Sequence, residues 1–563
     1  MSGGLDSENS IERLFLTGIR PYLLLAAVIA ALYAKSLSFG YTFFDDNVLI
    51  LNNYDFLKDI RNITGTFFQK VYPKNLNTPY YRPILMASFV LNAQMGGVSL
   101  FVYHLTNIFI HFVVSSLVFS LFLRIGYRRA LSLFFALVFA IHPVLTQAVA
   151  WVPGRNDSML AAFSIASFIS FLKFLDSRSR KDYLWHLSFL LLAVLTKESA
   201  LILIAICYLY CGLVRGKEVL RSAWPALVPG HAAVCALFFI PRYFVTIGSD
   251  PTTLYDMWNL VILQVPAVVQ LIGKAVFPVH QSVFPTMHDS SSSYGVAAIA
   301  LITALVIFFK RGSHRLILFG AAWLILFLIP PLVRSHAPVI DDVLEHRMYL
   351  PIVGLMIVFM ELDVFKTGSG IMKKTLRVLG IVILAVLFVK TCARCDSFRD
   401  ATVFWEDAVK ASPHSAGVRL NLGQTYYRSD RLDESLEQFN EAVKLDPFLT
   451  FEAHYYLGHI YLKKNMALQA EKEFRRTIAL NPDHDWACMS LGVIYYRSGR
   501  EKEAEALWKK SLRKNVYNFE AAKNLALYYA EKKDFVSSRK CVGWLRRLGI
   551  EPPPELLKTI GEK

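Results

Sequence analysis

Two carboxylates, Asp45 and Asp46, stand side by side in FGYTFFDDNVLILNN (39–53), directly after the apolar run PYLLLAAVIAALYAKSL. A carboxylate held beside a hydroxyl can take its proton as that oxygen attacks. Cations supply the complementary half of such chemistry, because they hold the charge of a departing phosphate. Basic residues stand in similar settings: Arg82 in NTPYYRPILMASFVLN, Lys197 beside Glu198 in LTKES, and Arg347 after Glu345 and His346 in EHRMYLP. His104, Asn107 and His111 are spaced to share one helical face. His142 opens HPVLTQAV, and Arg155, Asn156 and Asp157 complete GRND.

Each residue also has a plain account. An Asp pair suits a solvated turn, and His104, Asn107 and His111 suit helix–helix hydrogen bonds. Pro143 beside His142 suits a helix break, Arg155 with Asp157 a surface ion pair, and Lys197 a snorkelling anchor. Taken together, carboxylates and cations gather on one face of a membrane, where ionisable groups are costly enough to point to function. That set fits transfer from a lipid-phosphate donor, with apolar helices holding the lipid tail.

The elements that must position these residues are apolar. The chain has 563 residues, 54% of them hydrophobic, and a mean hydropathy of +0.39, beyond what soluble domains reach. Runs near 18–38, 100–123, 129–149, 158–177, 224–245, 294–310, 315–333 and 376–391, with a shorter one at 347–361, read as spans. The stretch 183–214, with LTKES at its centre, reads as a hairpin of two short helices, for about eleven crossings in all. Lys and Arg mark alternate loops (RIGYRR, DSRSRK, RGKEVLR, KRGSHR, FKTGSGIMKKTLR) as cytoplasmic. The remaining loops, which carry the carboxylate and cation motifs, face outward, as does everything after 392. The net charge of +16 is then a topology signal, and no basic face marks a nucleic-acid partner. The first apolar segment reads as a retained anchor, since cleavage would detach the Asp-Asp loop. Cys392 and Cys395 form a CxxC without the second pair a zinc site needs; it reads as structural, or as a disulfide in an oxidising compartment. No other metal-ligand set is indicated.

After Cys392 the pattern changes to amphipathic helices with a spacing of 34–35 residues. NLGQTYYRSDRLDESLEQFNEAVKLDP, YLGHIYLKKNMALQAEKEFRRTIALNP, SLGVIYYRSGREKEAEALWKKSLRKNV and NLALYYAEKKDFVSSRKCVGWLRRL carry tetratricopeptide-repeat positions. Gly423, Gly458 and Gly492 allow close helix packing, and Phe439, Phe474 and Trp508 fill the groove between helices. The fold class is therefore all-α: a membrane domain at 1–391, a connecting and capping helix within 392–414, and repeats at 415–563. Stacked repeats offer a concave surface, and residues 415–548 are where a protein acceptor would bind.

FFDDNVLILNN, YYRPILMASFVLN, YHLTNIFIHF, VFAIHPVLTQAVAWVPGRNDSMLAAF, LTKES and EHRMYLP, followed by the repeats, resemble the eukaryotic transmembrane-and-tetratricopeptide-repeat O-mannosyltransferases and their bacterial relatives. The resemblance covers nearly the whole chain and keeps the motifs in order. It implies a C-class glycosyltransferase fold and a polyprenyl- or dolichyl-phosphate sugar as donor, with no further cofactor indicated. It also implies an acid of the first external loop as catalytic base, which falls on Asp45 or Asp46, with Asp45 preferred. Arg82, Lys197 and Arg347 are then expected at the carrier phosphate, with Glu198 orienting Lys197. His104, Asn107, His142, Arg155, Asp157 and Glu345 take supporting places. The tail has only about four repeats, shorter than the eukaryotic pattern, which favours a bacterial inner membrane and periplasm over the endoplasmic reticulum. A transporter would instead place charges at the bilayer midplane, and a scaffold would need no carboxylate–cation set.

Overall fold

A computed structural model describes residues 16–71, 80–247, 262–309, 312–330, 343–363, 370–448 and 450–561. Among them every regular element is helical, and the chain divides into two units, Met1–Ser412 and Pro413–Lys563.

Among the described residues, six helices of the first unit are long and apolar enough to cross a membrane: Arg20–Ser38, Leu100–Ile125, Val152–Ser177, Glu198–Arg215, Lys217–Thr246 and Thr375–Asp396. The pair Arg129–Ile141 and Pro143–Ala150, bent by 51°, makes a seventh if it is one span. This is fewer than the eleven or so expected from hydropathy, and the reason is length. Ser293–Phe308 and His314–Leu328 have 16 and 15 residues, about 24 and 22 Å at roughly 1.5 Å per residue, against about 30 Å of hydrocarbon. The ends of those two runs, at 310 and 331–333, lie outside the described residues. The run at 347–361 yields only the nine-residue helix Ile352–Met360, buried along nearly all its length, and it is a core helix.

Two local features aim the chain. At the bend, Pro143 has no N–H to continue the preceding helix, and His142 takes over the turn. Its Nδ1 accepts from the Val144 N–H at 3.2 Å, while Nε2 donates to the Ala275 carbonyl at 3.0 Å. One turn later the chain folds back so tightly that a Cβ on Gly154 would sit 2.8 Å from the Ala148 Cα. Glycine here lets Arg155, Asn156 and Asp157 begin a new helix inside the protein.

The second unit stacks four helix pairs, from Ala416–Arg428 with Leu432–Leu445 to Phe519–Glu531 with Phe535–Arg547. A Cβ on Gly458 would meet the Phe474 ring at 2.7 Å, so the ring takes the space that the missing side chain leaves. Phe439, Phe474 and Trp508 are all buried. A closing helix, Pro554–Ile560, covers the last pair by setting Leu556 and Ile560 against Ala526, Ala530 and Val542.

The helix Ala401–Ala411, read from the sequence as connecting and capping, packs within the first unit: its Phe404 and Trp405 rings lie 5.7 and 5.8 Å from that of Phe44.

Candidate functional site

The Asp-Asp loop is an unusual piece of backbone. Phe43 and Asp45 both have left-handed φ, +54° and +66°, a region that non-glycine residues seldom enter and that Asp tolerates better than a bulky Phe. Asp46 braces the loop. Fully buried, it accepts from the Thr42 N–H and Oγ1 at 2.7 and 2.8 Å, and from the Asn47 N–H at 2.8 Å. Burial pushes its carboxyl up to about 6, against the pull of those three bonds. Asp45, beside it, is half-buried. Phe44 completes the hold: its ring stacks on Trp151 at 5.0 Å, and its carbonyl accepts from the Trp151 indole N–H at 3.0 Å.

Trp151 leads to the charged groups. Its ring lies 5.7 Å from that of His346, whose Nε2 is 3.7 Å from Asp157 Oδ2. The other Asp157 oxygen accepts from Lys197 Nζ at 2.7 Å. Beside them, Arg82 donates to both oxygens of Glu198, from Nη2 at 3.0 Å and Nε at 3.3 Å, and lies 4.5 Å over the Tyr80 ring. Asn156, with its amide oriented to satisfy both ends, accepts from Arg82 Nη1 at 2.9 Å and donates to the Thr196 carbonyl at 3.1 Å. Glu198 therefore orients Arg82, and Asp157 orients Lys197. This corrects the expected Glu198–Lys197 pairing. Lys197 ends helix Arg180–Thr196 in an extended conformation (φ −157°, ψ 132°) and Glu198 opens the next turn, so adjacent side chains leave the chain in different directions. Cations held by carboxylates in advance need no reorganisation when an anion arrives.

Other marked residues belong to the packing. Arg155 pairs with no Asp; fully buried, it donates to Asn107 Oδ1 (2.7 Å), the Tyr103 carbonyl (2.8 Å) and Ser88 Oγ (3.2 Å). Asn107 in turn donates to the Val149 and Trp151 carbonyls at 3.1 and 3.2 Å. His111 joins Tyr349 Oη (2.6 Å) to the Ala140 carbonyl (2.9 Å). His104 is buried edge-on to Phe39, and His142 caps the bend described above. These are neutral or singly charged pins between helices, one step behind the site.

Glu345 belongs to a second buried cluster. It accepts from Lys274 Nζ at 2.8 Å and the Ser282 N–H at 3.0 Å, and its Oε2 lies 3.5 Å from Arg394 Nη2. Arg394 Nη1 continues to Asp407 at 3.1 Å. Arg347 is buried in the same short turn as Glu345 and His346. Lys274, Arg394 and Asp407 escaped the sequence reading. A basic residue at the end of an otherwise apolar span, as at Arg394, was the available signal. Cys392 and Cys395 are free thiols on that helix, and no group of three or more His, Cys, Asp or Glu suited to a metal occurs among the described residues.

Tetratricopeptide-repeat family models match residues 416–449 and 455–515. The chain is 24% identical to the protein O-mannosyl-transferase TMTC3 of Mus musculus over 613 residues, which cover 91% of this chain and 65% of that protein. It is 24% identical to TMTC1 of Homo sapiens over 75% of this chain and 55% of that protein. Human TMTC2 is 31% identical over a shorter stretch, 36% of this chain and 25% of its own. The chain thus spans just under two thirds of the length of the TMTC3 relative. Among solved structures, that of MamA aligns with 28% of this chain and 86% of its own, at 23% identity and a TM-score of 0.23. Over most of its length the chain is TMTC-like, similar to proteins named protein O-mannosyl-transferases, and it carries tetratricopeptide repeats at its C-terminal end.

Proposed function

We propose that this protein is a membrane glycosyltransferase that moves a mannose-like hexose from a polyprenyl-phosphate carrier to a Ser or Thr hydroxyl of a protein. The observation that carries the reading is the Asp45 turn, a left-handed turn braced by Asp46 and Trp151 and linked through Trp151 and His346 to a prepaired set of cations. In this reading Asp45 takes the proton of the attacking hydroxyl, and Asp46 holds the turn. Arg82, Lys197 and Arg347 receive the departing carrier phosphate. Attack opposite that phosphate inverts the anomeric centre. The relatives' names, protein O-mannosyl-transferases, support protein acceptors and mannose as the first sugar to try. The repeats, residues 415–548, are assigned to the acceptor by the usual role of such surfaces in holding peptides. The N-terminus is assigned to the cytoplasm, and the site and the repeats to the external side, on the distribution of Lys and Arg among the loops.

The test is direct. Purified full-length protein is incubated with polyprenyl-phosphate mannose and a Ser/Thr-containing protein acceptor, and transfer is followed by mass spectrometry. Transfer that depends on Asp45 is expected. Donor turnover onto a lipid or glycan with none onto protein would redirect the acceptor assignment. Absence of turnover with every lipid-phosphate sugar would remove the enzymatic reading.

A further inference from the structure

The short helix after the last long span, Ala401–Ala411, has no role in the chemistry above, yet it touches both the Asp45 turn and the buried Glu345 cluster. Resting on the reading of Asp45 as the base, we propose that this helix is a positioning element. Trp405 fixes the turn that presents Asp45, and Asp407 fixes, through Arg394 and Glu345, the turn that carries His346.

On the loop side the contacts converge on Thr42. Its N–H and hydroxyl both serve Asp46, and its carbonyl accepts from the Trp405 indole N–H at 3.1 Å. Every polar group of Thr42 is thus committed, and one of the three commitments comes from the helix. Phe44 is boxed by Trp151 (5.0 Å), Phe284 (5.3 Å), Phe404 (5.7 Å) and Trp405 (5.8 Å). A third tie precedes the helix, where the Gly40 N–H donates to the Arg399 carbonyl at 2.8 Å. Thr42 and Phe44, which flank Phe43, are therefore pinned, and part of the hold on each comes from this helix. The left-handed Phe43 between them is the costlier conformation, and such contacts hold it.

On the other side, Asp407 Oδ2 accepts from Arg394 Nη1 at 3.1 Å and from the Val283 N–H at 3.3 Å. Arg394 and Lys274 flank Glu345, the neighbour of His346. Arg394 and Glu345 are buried, so removing Asp407 leaves Arg394 charged with one partner fewer, and the turn must shift to compensate. Trp405 and Asp407 act through Thr42 and Arg394, which makes them positioning residues.

The experiment combines hydrogen exchange with kinetics on the full-length protein in detergent, for Trp405→Phe, Trp405→Leu and Asp407→Asn. Trp405→Phe keeps a ring and removes only the N–H bond. Exchange in 39–51 should rise about tenfold in this variant. For Trp405→Leu, kcat should fall by roughly 10- to 100-fold with the donor KM unchanged, because misplacement of a reacting group acts on the chemical step. The Phe variant should recover most of that loss. Asp407→Asn should loosen 343–350 and leave 39–51 as in the wild type. Wild-type exchange in both segments for all three variants would overturn the proposal. So would a uniform rise across the first unit with an equal loss of melting temperature, since that is a general folding defect. If the wild type transfers no sugar, the base assignment fails, while the exchange measurements still decide whether the helix braces the two turns.

Discussion

The two units use the same ion pair for opposite ends. In the repeats, Lys463 meets Asp430 at 2.8 Å with side chains 44% and 76% exposed, and Lys514 meets Asp483 at 2.6 Å in a similar setting. In the first unit, Lys197 meets Asp157 at 2.7 Å with side chains 9% and 7% exposed. The geometry is nearly identical, and the surroundings differ. An exposed pair is screened and contributes little. A buried pair costs desolvation that its attraction scarcely returns, so stability alone gives it no reason to exist. Exposed pairs between neighbouring repeats are thus replaceable surface features, whereas the buried pairs of the first unit mark places where charge is needed for something else.

The sharpest break of that comparison is Asp45→Asn. Shape is kept and basicity removed, so transfer should fall by roughly 10²- to 10⁴-fold while donor binding survives. Asp46→Asn should cost less on the proposed roles, in which Asp46 holds the loop and Asp45 meets the hydroxyl. Near-normal turnover of Asp45→Asn with an inactive Asp46→Asn would exchange the two roles.

A double substitution sharpens the meaning of the buried pair. Lys197→Met should destabilise the protein by about 3–5 kcal/mol, since it strands the Asp157 charge. Adding Asp157→Asn should restore most of the melting temperature. Donor use should stay lost in the stable double variant if Lys197 contacts the carrier phosphate. Recovery of donor use along with stability would make the lysine a structural partner only.

Titration gives a gentler probe. Since burial raises the Asp46 carboxyl from 3.8 to about 6, transfer should decline as pH falls through about 6 and the ionised form that holds Thr42 and Asn47 is lost. Stability runs the other way: a pKa raised by folding means the folded state binds the proton more tightly. The contribution of this group is fully present below its ordinary 3.8 and lost as pH rises through about 6. Rate and melting temperature measured against pH should therefore have opposite slopes near 6. An acid limb centred near 4 would exclude Asp46 as the group responsible. The smallest effect belongs to the repeats, where Lys463→Gln should move the melting temperature by no more than about 3 °C.

The repeats were legible almost residue by residue. Their contacts run between one helix and the next, so Gly458 and Phe474, 16 positions apart by number, meet wherever the pattern recurs. The apolar helices were legible as helices for the same local reason, although six or seven of the described ones, against about eleven expected, are long enough to span. Residue types at the site were legible too, because a carboxylate pair and scattered cations beside apolar runs stand out by composition alone. Partnership was another matter. Arg82 reaches Glu198 across 116 residues, Lys197 reaches Asp157 across 40, and Trp405 reaches Thr42 across 363. No periodicity links such positions. Sequence determined which segments are helical, which are apolar and where charge had to be buried. Only the tertiary packing decided which buried charge meets which, because each must find whatever partner the helices bring within about 3 Å, and an unpaired choice is too costly to persist. The same rule separated Arg155 from Asp157, adjacent members of one motif. One is enclosed by carbonyl, amide and hydroxyl groups among the helices, and the other faces Lys197 in the site.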